Sequence, residues 1–190
     1  MRYEPTHKEK TRKNIVETAS REFRAHGFEG VGIAQIMQTL RLTHGGFYAH
    51  FKDKDQLVAE SSVHALEESL TRMLEGLAEG GFPMLLEAYL SEDNRDHPEA
   101  GCPLPALSAD VARAEPGPRA AFTAKLGDVF QQISGHMPGA TAARREEKVL
   151  VLFATLCGAV SLARAVSNPA MSARLLAGTK QHLLSFVAGD

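Results

Sequence analysis

The sequence contains no tryptophan and only two cysteines and three tyrosines among its 190 residues. Two cysteines far apart in the chain fit neither a disulfide scaffold nor a zinc site. The longest apolar run, residues 149–158, is too short to span a bilayer. The first residues lack the apolar segment of a secretion signal. These absences predict a cytoplasmic protein with no membrane partner.

Catalytic motifs are missing as well. The sequence has no G-x-S-x-G elbow, no phosphate-binding P-loop and no H-E-x-x-H zinc motif. Its histidines are scattered singly and do not cluster with cysteine or aspartate at metal-ligand spacing. We therefore predict that the protein is not an enzyme and that it holds neither a cofactor nor a metal.

Charge is divided unevenly along the chain. Residues 1–54 carry ten Lys/Arg and six Asp/Glu, a balance of +4, whereas residues 55–190 carry eleven and seventeen, a balance of −6. A basic segment on an acidic body favours contact between that segment and a polyanion. The alternative is a chance excess of basic residues on a solvated surface.

Helical periodicity runs through nearly the whole sequence, and no strand-like alternation interrupts it. The predicted fold is therefore all-α, with a helix-turn-helix domain over residues 1–54 and a second helical domain over residues 55–190. A helix over about residues 54–79 links the two domains and stops at Gly80-Gly81. The polar stretch EDNRDHPEAG, residues 92–101, is predicted to be a loop.

Residues 33–51 have the pattern of a helix-turn-helix unit, in which a short helix enters the major groove of DNA. That short helix is predicted to begin at His44 and contains two adjacent glycines, Gly45 and Gly46. Each glycine costs a helix interior about 1 kcal/mol relative to alanine. A bare backbone at this point lets the helix approach bases or phosphates closely.

The side chains around this helix divide into two groups. Phe47 and Phe51, four residues apart, are predicted to face inward and anchor the helix. Tyr48 lies on the other side, where its hydroxyl can reach a phosphate. The predicted DNA contacts are Arg41, Thr43, His44, Gly45, Gly46, Tyr48, His50 and Lys54.

Residues 10–57 resemble the DNA-binding head of the TetR/AcrR family of bacterial transcription regulators. The matching residues are Ile15, Ala19, Phe23, Gly27-Phe28, Ile36, Leu42-Thr43, Gly45, Phe47-Tyr48, His50-Phe51, Lys54 and Leu57. Three positions depart from the family pattern. Arg41 replaces a glycine where φ > 0 is expected, Gly32 replaces a Thr/Ser helix cap, and Gly46 replaces a Thr or Ser. These departures bear on the operator sequence more than on DNA binding itself.

The resemblance implies that the second domain binds a ligand and forms a homodimer through the last two helices. It also implies a repressor that leaves a palindromic double-stranded operator when a small apolar or amphipathic effector binds. The apolar face of the penultimate helix that suggests this interface consists of Val149, Leu152, Phe153, Leu156, Val160 and Ala163. The alternative role of the apolar faces of both helices is core within one subunit. The alternative function is a helical small-molecule or protein-binding module without specific DNA recognition.

Candidate ligand residues are aromatic or aliphatic side chains of the second domain, for which ordinary core is the alternative. They are Phe82, Leu85, Tyr89, Leu104, Leu107, Phe122, Leu126, Phe130 and Phe153. Polar groups for such a pocket are available at His64, Tyr89, His136 and Arg164, with surface roles as the alternative.

Cys102 begins a predicted helix, where the helix dipole favours the reactive thiolate. A Gly-Cys pair at this point occurs in a branch of the family in which some members sense electrophiles or oxidants. Cys102 is therefore a candidate redox or electrophile switch, and a small buried residue at a helix start is the alternative.

Overall fold

The computed structural model describes residues 5–139 and 141–189, and over these ranges it contains helices and no strands. The all-α prediction is thus confirmed. The first four elements are α1 (Pro5–Gly30), α2 (Ile33–Thr39), the 3₁₀ helix η1 (His44–Ala49) and α3 (Lys54–Tyr89). They are followed by α4 (Glu92–Asp96), α5 (Pro103–Arg113), α6 (Pro116–Ser134), α7 (Ala142–Ala165) and α8 (Pro169–Ala188).

Two of the long helices are broken at a glycine. Gly27 in α1 has φ 76°, and Gly81 in α3 has φ 67°. Residues with a Cβ avoid this region, whereas glycine enters it freely. Pro83 follows the second break within the first turn of the restarted helix, where a missing N–H costs little. The predicted stop at Gly80-Gly81 is present as the second of these breaks.

Side-chain caps fix several helix starts. The side chains of Thr43, Asp53, Thr141 and Asn168 each accept a hydrogen bond from the backbone N–H three residues further on. The four distances lie between 2.9 and 3.3 Å. Each bond satisfies a donor that the first helical turn leaves unpaired.

The polar stretch after Ser91 was predicted to be a loop, and its first half is instead the helix α4. The Ser91 hydroxyl accepts a bond from the Asn94 N–H at 3.0 Å. Glu92 and Asp93 lie in the first turn and Arg95 in the last, as the helix dipole favours. The prediction was wrong because a five-residue helix without buried residues has no apolar periodicity to detect.

The central helix of the fold is α3, which packs against α1, α5, α6 and α8, while α7 packs against α4, α5, α6 and α8. One continuous hydrophobic core runs from the head into the second domain. The apolar residues of α7 that suggested a dimer interface are all buried inside the single chain. They are Val149, Leu152, Phe153, Leu156, Val160 and Ala163. For these residues the alternative, core within one subunit, is the correct one.

A different face of the last two helices is exposed and apolar. On α7 the exposed residues Leu150, Ala154, Gly158 and Leu162 follow one another at four-residue spacing and so form one stripe. On α8, Met171 and Leu184 are exposed. Nothing in the part of the chain that the structure describes covers this surface.

Among the described residues, one helix, α7, is long and apolar enough to cross a membrane by length and composition alone. In the most apolar stretch of 18 residues in α7, 44% is buried inside the fold. A core helix of a soluble protein passes the same test, so this helix is weak evidence for a membrane span.

Candidate DNA-binding head and ligand cavity

The short helix η1 is anchored by two aromatic rings. Phe47 and Phe51 are almost fully buried, and their rings stack with centroids 5.3 Å apart. The Arg12 guanidinium of α1 lies 4.6 Å from the centroid of the Phe51 ring. These contacts hold η1 against α1 and α2, so its other face is presented in a fixed orientation. The inward orientation predicted for both phenylalanines is confirmed.

The opposite face of η1 is open. The Tyr48 side chain is 58% exposed, and Thr43, His44 and Gly45 are exposed beside it. The His44 and Tyr48 rings meet edge-on with centroids 5.8 Å apart. The structure therefore brings these predicted contact residues together on one surface. Their contact with DNA stays a prediction.

The two glycines of η1 are not required by the fold. Neither has a positive φ. A Cβ built on Gly45 meets no atom within 4 Å, and one on Gly46 makes only ordinary contacts with Thr43 Oγ1 at 3.4 Å and Met37 Cε at 3.7 Å. Internal packing therefore does not explain why position 45 lacks a side chain.

Arg41 adopts the conformation expected of the glycine it replaces. Its φ is 57°, the only positive φ among the described non-glycine residues. The Arg41 N–H bonds to the Gln38 carbonyl at 2.9 Å, and the Leu42 N–H bonds to the Met37 carbonyl at 2.8 Å. This pair of bonds is a Schellman motif, in which the left-handed residue closes the end of α2. The Arg41 side chain is exposed beside η1.

Two of the predicted DNA contacts, Lys54 and His50, are less exposed than the residues on the open face of η1. The Lys54 ammonium donates to the Phe28 carbonyl at 2.6 Å and so ties α3 to the end of α1. His50 is half-buried, and its Nδ1 has no hydrogen-bond partner in the described part of the chain. Burial lowers the pKa of His50, and the nearby charges of Lys8 and Arg12 lower it further. Sequence analysis overlooked Lys52, whose side chain is exposed next to this face.

The second domain contains a cavity of about 290 Å³ between α3, α4 and the start of α5. Its wall combines apolar and polar side chains. The lining residues include Met73, Leu85, Ala88 and Tyr89 together with Arg72, Asp93, Asn94, His97, Gly101 and Cys102. Of the nine predicted ligand residues, only Leu85 and Tyr89 lie on this wall. The other seven pack elsewhere in the hydrophobic core, which was their alternative role.

The polar part of the wall was not predicted, because α4 was expected to be a loop. Asp93, Asn94 and His97 belong to α4 or directly follow it. Asn94 Nδ2 donates to the Tyr89 carbonyl at 2.6 Å, which fixes α4 against the end of α3. Cys102 lines the cavity and is 5% exposed. Its role as a switch stays a prediction.

Comparison with known proteins agrees with this geometry. Residues 15–61 match the family model described as bacterial regulatory proteins, tetR family. The chain is 31% identical over 84 residues to the HTH-type transcriptional repressor AcnR of Corynebacterium diphtheriae, covering 44% of this chain and 42% of that protein. It is 26% identical over 108 residues to the repressor NemR of Escherichia coli K12, covering 53% and 54%. The chain thus matches about half the length of these curated relatives.

The whole fold has counterparts among solved structures. A TetR transcriptional regulator from Chloroflexus aurantiacus superimposes with a TM-score of 0.74 at 25% identity, covering 97% of this chain and 98% of that one. The head thus belongs to the tetR family of bacterial regulatory proteins, and the whole chain has the fold of a TetR transcriptional regulator. The family match covers the larger part of α1, all of α2 and η1, and the start of α3.

Proposed function

We propose that this TetR/AcrR protein is a ligand-responsive transcriptional repressor that acts in the cytoplasm. The observation that carries the proposal is the head geometry, in which η1 rests on Phe47 and Phe51 and exposes Thr43, His44, Gly45 and Tyr48. A short helix held in this way offers its first residues to base edges in the major groove. Its free N–H groups attract phosphate.

A homodimer would supply the second head that a palindromic operator needs. The exposed stripe on α7, with Leu162 56% exposed, and Met171 and Leu184 on α8 support dimerisation through the last two helices. Two such helices from each subunit form a four-helix interface around a two-fold axis. The η1 helices of the two subunits must then lie roughly 34–36 Å apart, or a multiple of that distance.

The effector would bind in the cavity beside α4 and shift the equilibrium between a DNA-binding form and a released form. Only a ligand with different affinities for the two forms can do this. The 36-residue helix α3 runs from the head to the cavity wall and so joins the two sites.

The test is a titration of the purified protein on DNA from upstream of its own coding sequence, followed by fluorescence anisotropy. We expect tight binding to one palindromic segment and weak binding to a shuffled segment of the same composition. His44→Ala should change the preferred base at a position within each half-site. Equal affinity for the two DNAs would favour the alternative function, a helical binding module without specific DNA recognition.

A further inference from the structure

Arg41 presents a free guanidinium on a fixed backbone. Its positive φ is unfavourable for a residue with a Cβ, and the bond from its N–H to the Gln38 carbonyl holds it there. Its side chain is exposed and makes no hydrogen bond or ion pair within the described residues. Contacts inside the described chain therefore give no reason for an arginine at this strained position. Backbone strain of this kind is typical of functional sites.

Lys52 presents a second free cation. Its side chain is 88% exposed, and its ion pair with Asp53 Oδ2 is 3.8 Å long, so the pair contributes little. The Lys52 N–H donates to Gln56 Oε1 at 2.8 Å, while Asp53 Oδ1 accepts from the Gln56 N–H at 2.9 Å. These reciprocal bonds fix the backbone at Lys52 and leave its ammonium available. Lys54, by contrast, already donates to the Phe28 carbonyl.

The two cations lie beyond opposite ends of η1. Two residues separate Arg41 from the start of this helix, and two residues separate its end from Lys52. The six residues of η1 extend about 12 Å at the 3₁₀ rise of about 2.0 Å per residue. The major groove of B-DNA is about 12 Å wide and has a phosphate backbone along each side. A helix of this length in the groove brings a cation at each end to a backbone.

We propose that Arg41 and Lys52 contact phosphates at the two ends of η1, and that these phosphates belong to opposite DNA strands across the major groove. The inference rests on the proposed function in one respect, namely that η1 enters the groove. Contacts of this kind fix the position of a protein on the duplex and add affinity without selecting bases. Base selection is then left to residues of η1 itself.

The salt dependence of binding counts the phosphate contacts. Affinity for a shuffled duplex is measured by fluorescence anisotropy between about 0.05 and 0.2 M salt, because each contact adds about 0.9 to the slope of log affinity against log salt. Arg41→Gly and Lys52→Met should each lower this slope by about one per subunit and weaken binding about eightfold at about 0.1 M salt. The double variant should lower the slope by about two.

Two outcomes of this titration would overturn the proposal. The first is an unchanged slope in either single variant. The second is a double variant that loses no more than one contact per subunit, because the two cations would then share one phosphate.

Arg119→Met is the matched control, because Arg119 is an exposed arginine of α6 whose side chain has no partner in the described part of the chain. It removes one positive charge per subunit outside the head and should leave the slope unchanged. Arg41→Lys and Lys52→Arg keep the charge and should also keep the slope. An equal loss in Arg119→Met would show that only net charge matters, which would overturn the proposal.

Arg41→Gly also tests whether the arginine is free of a structural role. Glycine adopts a positive φ readily, so the melting temperature of this variant should rise by about 1–4 °C while its DNA affinity falls. A lower melting temperature would show that the Arg41 side chain supports the fold, and it would contradict the proposal.

The strand assignment is tested on the operator. Phosphates of each half-site are replaced by neutral methylphosphonates, first on one strand and then on the other. One replacement should abolish the effect of Arg41→Gly alone, and the other should abolish the effect of Lys52→Met alone. Both effects on the same strand would overturn the arrangement across the groove. Preference for the operator over shuffled DNA tests the repressor function, whereas the slopes are measured on shuffled DNA, so the two proposals fail independently.

Discussion

Gly45→Ala separates the requirements of the fold from those of the DNA. The added Cβ would meet no protein atom within 4 Å, and the backbone of Gly45 already lies in a region open to alanine. Replacing glycine by alanine at such a position stabilises a protein by about 0.4–1 kcal/mol, mainly by reducing the freedom of the unfolded chain. For a chain of this size the melting temperature should rise by about 1–4 °C.

The same substitution should weaken DNA binding. If the backbone at Gly45 approaches a phosphate or a base, a methyl group at that point holds η1 away from it. Loss of one hydrogen bond to a charged group corresponds to an affinity about ten to a hundred times weaker. The result expected of Gly45→Ala is therefore a protein that is more stable but binds its operator less tightly. The assays are differential scanning fluorimetry and fluorescence anisotropy on operator DNA at fixed salt.

Gly127→Ala is the matched control for this experiment. Gly127 is an exposed glycine in the middle of α6, and a Cβ there also meets no atom within 4 Å. The control should gain a similar amount of stability without any change in DNA affinity. If Gly45→Ala binds the operator as tightly as the wild type, then no close approach occurs at Gly45 and our explanation of the glycine pair is wrong.

Three further substitutions test other parts of the molecule. Tyr48→Phe should weaken binding to all DNA sequences alike, as expected of a phosphate contact; a change in base preference would contradict that assignment. Leu162→Glu should convert the dimer to monomers in sedimentation experiments, because it buries a charge at the proposed interface; an unchanged dimer would place the interface elsewhere. Arg24→Met should lower the free energy of unfolding by about 3 kcal/mol in urea titrations, since it leaves partners of a buried guanidinium unpaired. A loss below about 1 kcal/mol would show that Arg24 behaves as a surface residue.

The head was predictable because its determinants are local. The caps at Thr43 and Asp53 and the buried pair Phe47 and Phe51 each depend on residues within four positions of one another. The positive φ of Arg41 followed from the family pattern at that position. Lys54 was harder to place, since the carbonyl that binds it belongs to Phe28, 26 residues earlier. No periodicity in the sequence indicates such a pairing.

The cavity was less predictable because its wall is assembled from segments that are distant in sequence. Met73 and Tyr89 lie on either side of the break at Gly81, and Cys102 follows α4. Candidates such as Leu107 and Phe153 are apolar, like several residues that line the cavity, but they pack into the core. Tyr89 and Arg164 were among the residues considered for polar roles. Of the four polar candidates, only Tyr89 lines the cavity, and only the structure shows this.

Arg24 makes three directed bonds, and one of them links α1 to the cavity wall at Gly101. On α1, its Nε donates to the Ser20 carbonyl at 3.1 Å, within its own helix. Its Nη1 donates to the Gly101 carbonyl at 2.9 Å, and its Nη2 donates to the Glu68 carboxylate of α3 at 2.7 Å. A guanidinium is planar and presents its donors in a fixed fork, so these three partners hold one mutual orientation.

The Gly101 carbonyl consequently accepts a hydrogen bond from α1. Arg164 lies on the side of Gly101 where a Cβ would project. If the effector binds in the cavity as proposed and displaces the wall at Gly101, it acts on the peptide that Arg24 holds. If this peptide moves, Arg24 must either lose a charge-assisted bond or carry α1 with it. The helix α1 in turn supports η1 through the contact of Arg12 with Phe51. In the proposed dimer two heads must match half-sites at a fixed spacing, so a small tilt of α1 in each subunit would be enough to prevent both from binding at once. We therefore propose the contact between Arg24 and Gly101 as the physical route from an occupied cavity to a released operator.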